Sequence, residues 1–581
     1  MQYLSSSLAW MTVVVTITGC NPGSISAVGT GLGGNNNNSQ GGESGSGDNN
    51  NNGGGAGGDS TLPPFLPTLP VGATPPDASE CKTNAPGPRV LRRLSTLQLA
   101  ASLRSLLSDP ALSVASVVDD PVALGFSVDA SGLLVRGLDA DRIRSQAEEL
   151  ANKIATTKLS SVTSCQTNDA TCRQQFIKAF GKRAFRAPLS DAQVKAYETI
   201  FTGEATFSEG VEAVLTAMLQ SPYFLYRSEL GAPQSGGSFK LTQFEIATAL
   251  SYLLLGTTPD DTLLAAAEAN QLGTQEQILK QADRLMANAS SADVVVDFFK
   301  GWLDLDLLRS IVKDDKVFAL SDELRADMLS ETRSFVADLY SSKAAFGQMF
   351  TADYSFINGR LKQHYGFDVS LGTETGMTKF TLPAGKRDPG ILAHASLLTA
   401  HSNATASSPT FRGKMVRTRL LCQALPPPPA NLDTMLKAPQ ANQTTRERFM
   451  QHSQSSACAG CHRQMDPIGF GFEGYDGVGR KRDTDAGKPV DDSGELTDID
   501  GEDFTFRGVQ ELATKLSTSQ ATKACLVRFW SYYAYGMASW DNDACTYEAV
   551  QGTAAKDNYS FKGVLTGIIN APHFTQRVKD L

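Results

Sequence analysis

Asp293 to Arg309 reads D-V-V-V-D-F-F-K-G-W-L-D-L-D-L-L-R. Val294, Val295, Phe298, Phe299, Trp302 and Leu305 recur at helical spacing, so an α-helix gathers them on one dense apolar face. Such aromatic clusters read as core, because large apolar side chains at this spacing turn inward. The same period spreads in both directions. Arg92 to Leu107 carries it and stops at Asp109-Pro110, and Arg142 to Thr156 and Ser321 to Tyr340 repeat it. Ser190 to Gln193, Thr242 to Glu245 and Thr274 to Gln277 are capping boxes that open further helices. Glu209 to Leu230 reads as one long helix. Few runs alternate with period two. The expected fold is mainly α, a multidomain helical body with little β.

Near the C-terminus the pattern changes. Cys458-Ala459-Gly460-Cys461-His462 is a C-x-x-C-H run, the attachment signature of a c-type haem. Two thiols at this spacing can each add to one vinyl group of a porphyrin, and His462 then presents an imidazole to the iron. Such chemistry belongs outside the cytoplasm, so the motif predicts export and a c-type-cytochrome-like haem module with one covalent haem c. Zinc is a rival reading, with Cys458, Cys461 and His462 joined by His452 or Cys422 as fourth ligand. A redox disulfide is another, although the βαβ setting of that chemistry is missing.

The N-terminus agrees with export. Leu8 to Gly19 is a short apolar run, about the length of a signal h-region and too short to span a bilayer. It ends at Ile17-Thr18-Gly19-Cys20, which resembles a lipoprotein signal box with Cys20 as the acylated residue. Met1 to Ser7 lack the Lys or Arg with which signal peptides begin. By resemblance to lipoproteins generally, Asn21 points to the outer membrane, on its periplasmic or surface face. Residues 21–80 are rich in Gly, Asn and Ser and then in Pro, a composition that buries little apolar surface and suits a tether.

Composition bounds the remainder. The 581 residues carry a net charge of -9, so a nucleic-acid partner is not expected, and 41% hydrophobic residues suit a globular body. Of nine cysteines, Cys20 is assigned to lipid and Cys458 and Cys461 to haem. Cys81, Cys165, Cys172, Cys422, Cys525 and Cys545 remain, an even number that suggests disulfides in an exported chain. Short separations favour Cys165–Cys172 and Cys525–Cys545, leaving Cys81–Cys422.

The haem-motif region supports finer expectations. Thr444 to His452 reads as a short helix, Asp466-Pro467 as a turn, and the glycines from Gly469 to Gly479 as chain able to run close to a flat ring. Phe470, Phe472 and Tyr475 are candidates to pack on a porphyrin, and Arg480 and Arg482 to pair with its propionates. A glycine-rich loop packed on its own core is the competing reading. Met465 follows His462 too closely to reach the opposite face of the iron. His452 is the preferred sixth ligand, with His394, His401, Met415 and Met537 as further options and an open site as the alternative. Asp491, Asp492, Asp498 and Asp500 lie in an acidic stretch whose spacing fails the EF-hand pattern, so a solvated turn region is expected. No Ser-His-Asp order, H-E-x-x-H, P-loop or dinucleotide motif appears, and catalytic residues stay unassigned.

Several stretches resemble the exported planctomycete-type and myxobacterial proteins assembled from serial domains of unknown function. Arg89 to Leu107, Phe180 to Pro188 and Ser221 to Arg227 resemble the helical N-terminal modules of that family. Leu241 to Leu263, Ala352-Asp353-Tyr354 and His364-Tyr365-Gly366 resemble its central module. Gly390-Ile391-Leu392, Ser408 to Lys414, Leu425 to Pro429 and Cys458 to Arg480 resemble its haem-motif module, and Phe506 to Phe574 its last one. The resemblance implies a cytochrome-like, exported, mostly helical protein without a settled activity. The expected organisation is a signal peptide at 1–20, a tether at 21–80, and helical modules at 81–232 and 238–368. A haem-motif module at 385–482 and a helical module at 500–577 follow. Electron transfer to a redox partner is the leading expectation. A peroxidase- or oxygenase-like haem enzyme and a lipoprotein scaffold acting on a surface polymer, its haem or zinc structural, are the alternatives.

Overall fold

Helix starts are written locally. Ser95, Ser190, Thr206, Thr242 and Thr274 each accept from the backbone N–H three residues on, while Gln98, Gln193, Glu209, Glu245 and Gln277 reach back to close five capping boxes. They open the helices Thr96–Leu106, Asp191–Thr202, Phe207–Leu219, Gln243–Leu254 and Gln275–Met286. The computed structural model describes residues 86–165, 167–368, 376–425, 440, 442–454, 456–536 and 544–578. Within them the protein is mainly α, and no strand exceeds seven residues. Cys20, Cys81, the signal and the tether lie outside the described residues.

Two long helices of the sequence reading are shorter in the structure. The expected Glu209 to Leu230 helix stops at Leu219, and Ser221 caps a short Pro222–Leu225 turn that leads into a strand, Tyr226–Glu229. Proline fixes the break, since it has no N–H and forces the residue before it out of the helical region. Arg92 likewise lies in a strand, Val90–Arg93, which pairs antiparallel with Tyr226–Glu229. Asp293 to Arg309 divides into Ser291–Trp302 and Leu307–Ser310, with Asp304 left-handed between them.

Long-range packing joins what looks modular in sequence. One core cluster runs from Phe126 through the Ser291–Trp302 helix to Phe574. Phe298 stacks on Trp530 at 3.9 Å between ring centres, and Phe299 meets Phe561 edge-on at 5.1 Å. Stacked and edge-to-face aromatics of this kind add about 0.5–1.5 kcal/mol per pair beyond the area they bury. Arg419 clamps Asp304 through two bonds of 2.8 and 2.6 Å and donates to the carbonyl of Leu124 at 2.7 Å. A second cluster, Leu94 to Leu225 with Tyr252, forms the N-terminal core, and a third gathers around Ile357 and Leu361. The C-terminal strand Gln576–Arg577 returns to pair with Phe239–Lys240, tying the end of the chain to its first half.

The cysteines pair differently from the shortest-separation rule. Cys165 and Cys172 are bonded as expected, but Cys525 joins Cys422 across 103 residues. The expected Cys525–Cys545 and Cys81–Cys422 pairs are therefore excluded. Cys545 is disulfide-bonded as well. The reason is tertiary: the Gln520–Tyr535 helix lies against the Val416–Leu420 turn, which brings the Cα atoms of Cys422 and Cys525 to 5.3 Å. A bond closing so long a loop restricts the unfolded chain strongly. Changing Cys422 and Cys525 together to Ala is expected to lower unfolding free energy by about 2–4 kcal/mol, read from urea unfolding curves.

Four histidines are buried inside this body: His364, His394, His401 and His573. His364 meets the carbonyl of Val478 at 2.8 Å, and burial lowers its pKa to about 4. Burial pushes His394 and His401 in the same direction. A depressed imidazole binds its proton in the unfolded chain, near the usual pKa of about 6.5, before it does so in the folded one. Stability is thus complete above that value and falls as pH drops toward about 4. Urea midpoints measured from pH 7 to pH 4.5 are expected to decline, and His364→Gln is expected to flatten that decline.

Candidate functional site

Cys458, Cys461 and His462 lie on a single helix, Ser456–Phe470. Spacings of three and four residues place them on one face, continued by Met465 and Gly469. The C-terminal half of this stripe is packed and the N-terminal half emerges. A Cβ on Gly469 would meet the Pro409 carbonyl oxygen at 1.8 Å, and one on Gly413 the Met465 carbonyl oxygen at 1.9 Å. The backbones of Ser456–Phe470 and Pro409–Met415 therefore touch where only glycine fits. Above that contact Cys458, Cys461 and His462 are half-buried, and both cysteines are present as thiols.

His462 is oriented from behind. Its Nδ1–H donates to Asp466 Oδ2 at 2.9 Å, one helical turn away, and Asp466 is fully buried. The other carboxylate oxygen accepts from the Thr410 hydroxyl at 2.7 Å. With Nδ1 engaged as a donor, Nε2 carries the ring's lone pair, the tautomer that metal-ligating histidines adopt when a carboxylate holds their other nitrogen. Arg417 secures the same helix, donating to the Gln464 carbonyl at 2.9 Å and to Thr497 in the neighbouring hairpin. Sequence reading placed a turn at Asp466-Pro467, which hid this carboxylate. The helix instead runs through Pro467 to Phe470, and four-residue spacing after His462 was the signal that identifies Asp466.

The glycine-rich segment after the helix serves the protein core. Phe472 and Tyr475 belong to the main apolar cluster, and the Tyr475 hydroxyl donates to Asp388 at 2.8 Å. The ring of Phe470 lies 4.3 Å from the Arg446 guanidinium. Arg482 pairs with Glu473 and Asp485, whereas Arg480 is exposed. Phe472 and Tyr475 thus pack on the protein's own core, as the competing reading expects. The organiser of this segment is Arg412. This guanidinium is wholly buried and donates to the carbonyls of Phe472, Tyr475, Leu398 and Asp476 at 2.6 to 3.2 Å. Burial lowers its pKa to about 10 against the opposing pull of Glu473.

Most candidate sixth ligands are committed elsewhere. His394 bonds Thr332 at 2.9 Å, His401 bonds the Leu303 carbonyl at 3.0 Å, and Met415 sits in the main core. The helix Thr445–Gln454 is formed as expected, but the side chain of His452 lies outside the described residues, as does Met537. In the acidic stretch, Asp491 caps Ser493 and pairs with Arg446, while Asp500 caps the start of the Gln520–Tyr535 helix, between Ser519 and Ala521. Among the described residues no three His, Cys, Asp or Glu side chains gather as a metal-binding group, and no helix is long and apolar enough to cross a membrane.

The residues present fit a covalently held porphyrin in the chemistry of their donors: two thiols and one tautomer-fixed imidazole on an emerging helix face. They define a mainly helical protein of serial modules with one C-x-x-C-H helix. Families described as proteins of unknown function match it in series: DUF1587 at residues 92–156, DUF1595 at 172–229, DUF1592 at 241–367, DUF1588 at 388–485 and DUF1585 at 500–574. The chain belongs to the multidomain family built from these serial domains. No curated protein and no solved structure matches it.

Proposed function

We propose that this protein is an exported, lipid-anchored, monohaem cytochrome-like protein that transfers electrons through a haem bound at Cys458, Cys461 and His462. The observation that carries this reading is the Asp466–His462 bond beside two half-buried thiols on one helix face. Cys458 and Cys461 would hold the porphyrin edge, and His462 Nε2 would face its metal. When bound, the haem supplies a one-electron couple. The chain's own contribution is to hold His462 in one tautomer and to set the charge behind it. Asp466 does so with Thr410 fixing its second oxygen. Cys20 would anchor the protein to the outer membrane, and Cys20→Ala is expected to release it into the soluble fraction.

The test is a pyridine haemochrome assay on full-length protein matured in a host competent for covalent haem attachment, with mass spectrometry of the Cys461 peptide. A haem-bearing peptide and a reduced spectrum unchanged by carbon monoxide support electron transfer. A spectrum shifted by carbon monoxide supports the enzyme alternative, and colourless protein overturns both. Asp466→Asn provides a finer test. It removes the negative charge behind His462, so the oxidised metal loses stabilisation and the midpoint potential is expected to rise. Potentiometric titration reads this, and an unchanged potential would remove Asp466 from the proposal.

A further inference from the structure

Outside the C-x-x-C-H helix, three arginines converge on a small cavity. Arg92 comes from the Val90–Arg93 strand, Arg227 from the Tyr226–Glu229 strand, and Arg577 from the last strand of the chain. All three are at least nine-tenths buried, at 3%, 5% and 4% exposure. They line a cavity of about 30 Å³ together with Tyr252, Tyr533 and a single carboxylate, Glu229.

The charge does not balance. Glu229 accepts from Arg577 at 2.9 Å and lies 3.7 Å from Arg92 Nε. Arg92 spends its terminal nitrogens on the carbonyls of Ala534 and Tyr535, while Arg577 gives Nη1 to the carbonyls of His573 and Gln576 and Nη2 to Glu229. Arg227 has the ring of Tyr252 at 4.9 Å, and its Nε finds no hydrogen-bond partner among the described residues. The Nε atoms of Arg92 and Arg577 are in the same condition. The nearby Arg186, bonded to the carbonyls of Phe224, Tyr223 and Tyr226, adds a further positive charge. A buried cation without a counter-charge is costly, and water in the cavity leaves that charge in place.

We infer that this cavity binds a small monovalent inorganic anion of the chloride class, held by Arg92, Arg227 and Arg577. The small space favours a compact guest: one water needs at least about 10–15 Å³ of it, and a single negative charge suits the one-carboxylate deficit among these arginines. Burial, then the neighbouring Arg92, lowers the Arg227 pKa to about 10, the direction that a bound anion reverses. Geometry provides a role. The site sits where the first strand, the Ala534–Tyr535 helix end and the last strand meet, so its occupant ties both ends of the folded body together. Gly536 makes the approach possible: its φ is +65°, and a Cβ there would meet the Val128 oxygen at 2.2 Å and Arg92 Cζ at 2.9 Å.

Bromide is the probe. Crystals of the full chain grown free of chloride and soaked in sodium bromide are expected to show an anomalous peak within hydrogen-bond distance of Arg227. In solution, sodium chloride at fixed ionic strength is expected to raise Tm by about 2 °C over sodium gluconate, and Arg227→Gln to abolish that difference. Wild-type crystals without a bromide peak, or with a carboxylate of the chain's own filling the cavity, overturn the assignment. Equal Tm values of the wild type in both salts do the same.

Discussion

A Cys458→Ala/Cys461→Ala double variant is expected to lose covalent haem completely while keeping its fold. Haemochrome absorbance of the denatured, extracted chain should fall to background, and the Cys461 peptide should lose the mass of the porphyrin. Each single variant keeps one thiol and therefore one point of attachment. The fold should survive because both cysteines are half-buried on the emerging part of the Ser456–Phe470 helix, where alanine is a strong helix former. Its packing depends instead on Gly469, Gly413 and the Arg417 bonds. Far-ultraviolet circular dichroism and the urea midpoint check this second half. Haem that stays covalently bound in the double variant would place the attachment elsewhere and end the proposal for this helix.

Replacement of Arg412 by Met is expected to destabilise the protein by about 3–5 kcal/mol, more than any other single substitution considered. One guanidinium serves four carbonyls drawn from Leu398 and from the 472–476 segment, all removed from water. Methionine fills the volume and serves none of them, and buried acceptors left without donors are costly. The loss also strips a positive neighbour from Glu473, whose pKa burial already raises and whose salt bridge is then carried by Arg482. Arg412→Lys should recover little, because a point charge cannot span four acceptors that a planar fork reaches. Urea unfolding measures both variants. A midpoint within error of the wild type for Arg412→Met would show that the loop holds itself.

Local chemistry was legible throughout. The capping boxes at Ser190, Thr242 and Thr274 open helices where the sequence places them, because N-cap and N3 side chains lie within one turn. Helical ends were less legible where a tertiary partner competes. Pro222 stops one helix, yet Pro467 sits inside another that is held by contact with Pro409–Met415. The role of Asp466 depended on that difference. Arg412 was visible as a residue in Ser408 to Lys414 but not as an organiser, since its four acceptors come from other parts of the chain.

By itself the sequence determined the helical class, the C-x-x-C-H donors and their spacing, and the Cys165–Cys172 bond across seven residues. Each depends on groups close along the chain, whose geometry follows from backbone period alone. Only the tertiary structure decided the Cys422–Cys525 bond, the merging of the central, C-x-x-C-H and C-terminal modules into one apolar cluster, and the meeting of Arg92, Arg227 and Arg577. These depend on which faces bury against each other, and burial is set by the whole chain at once.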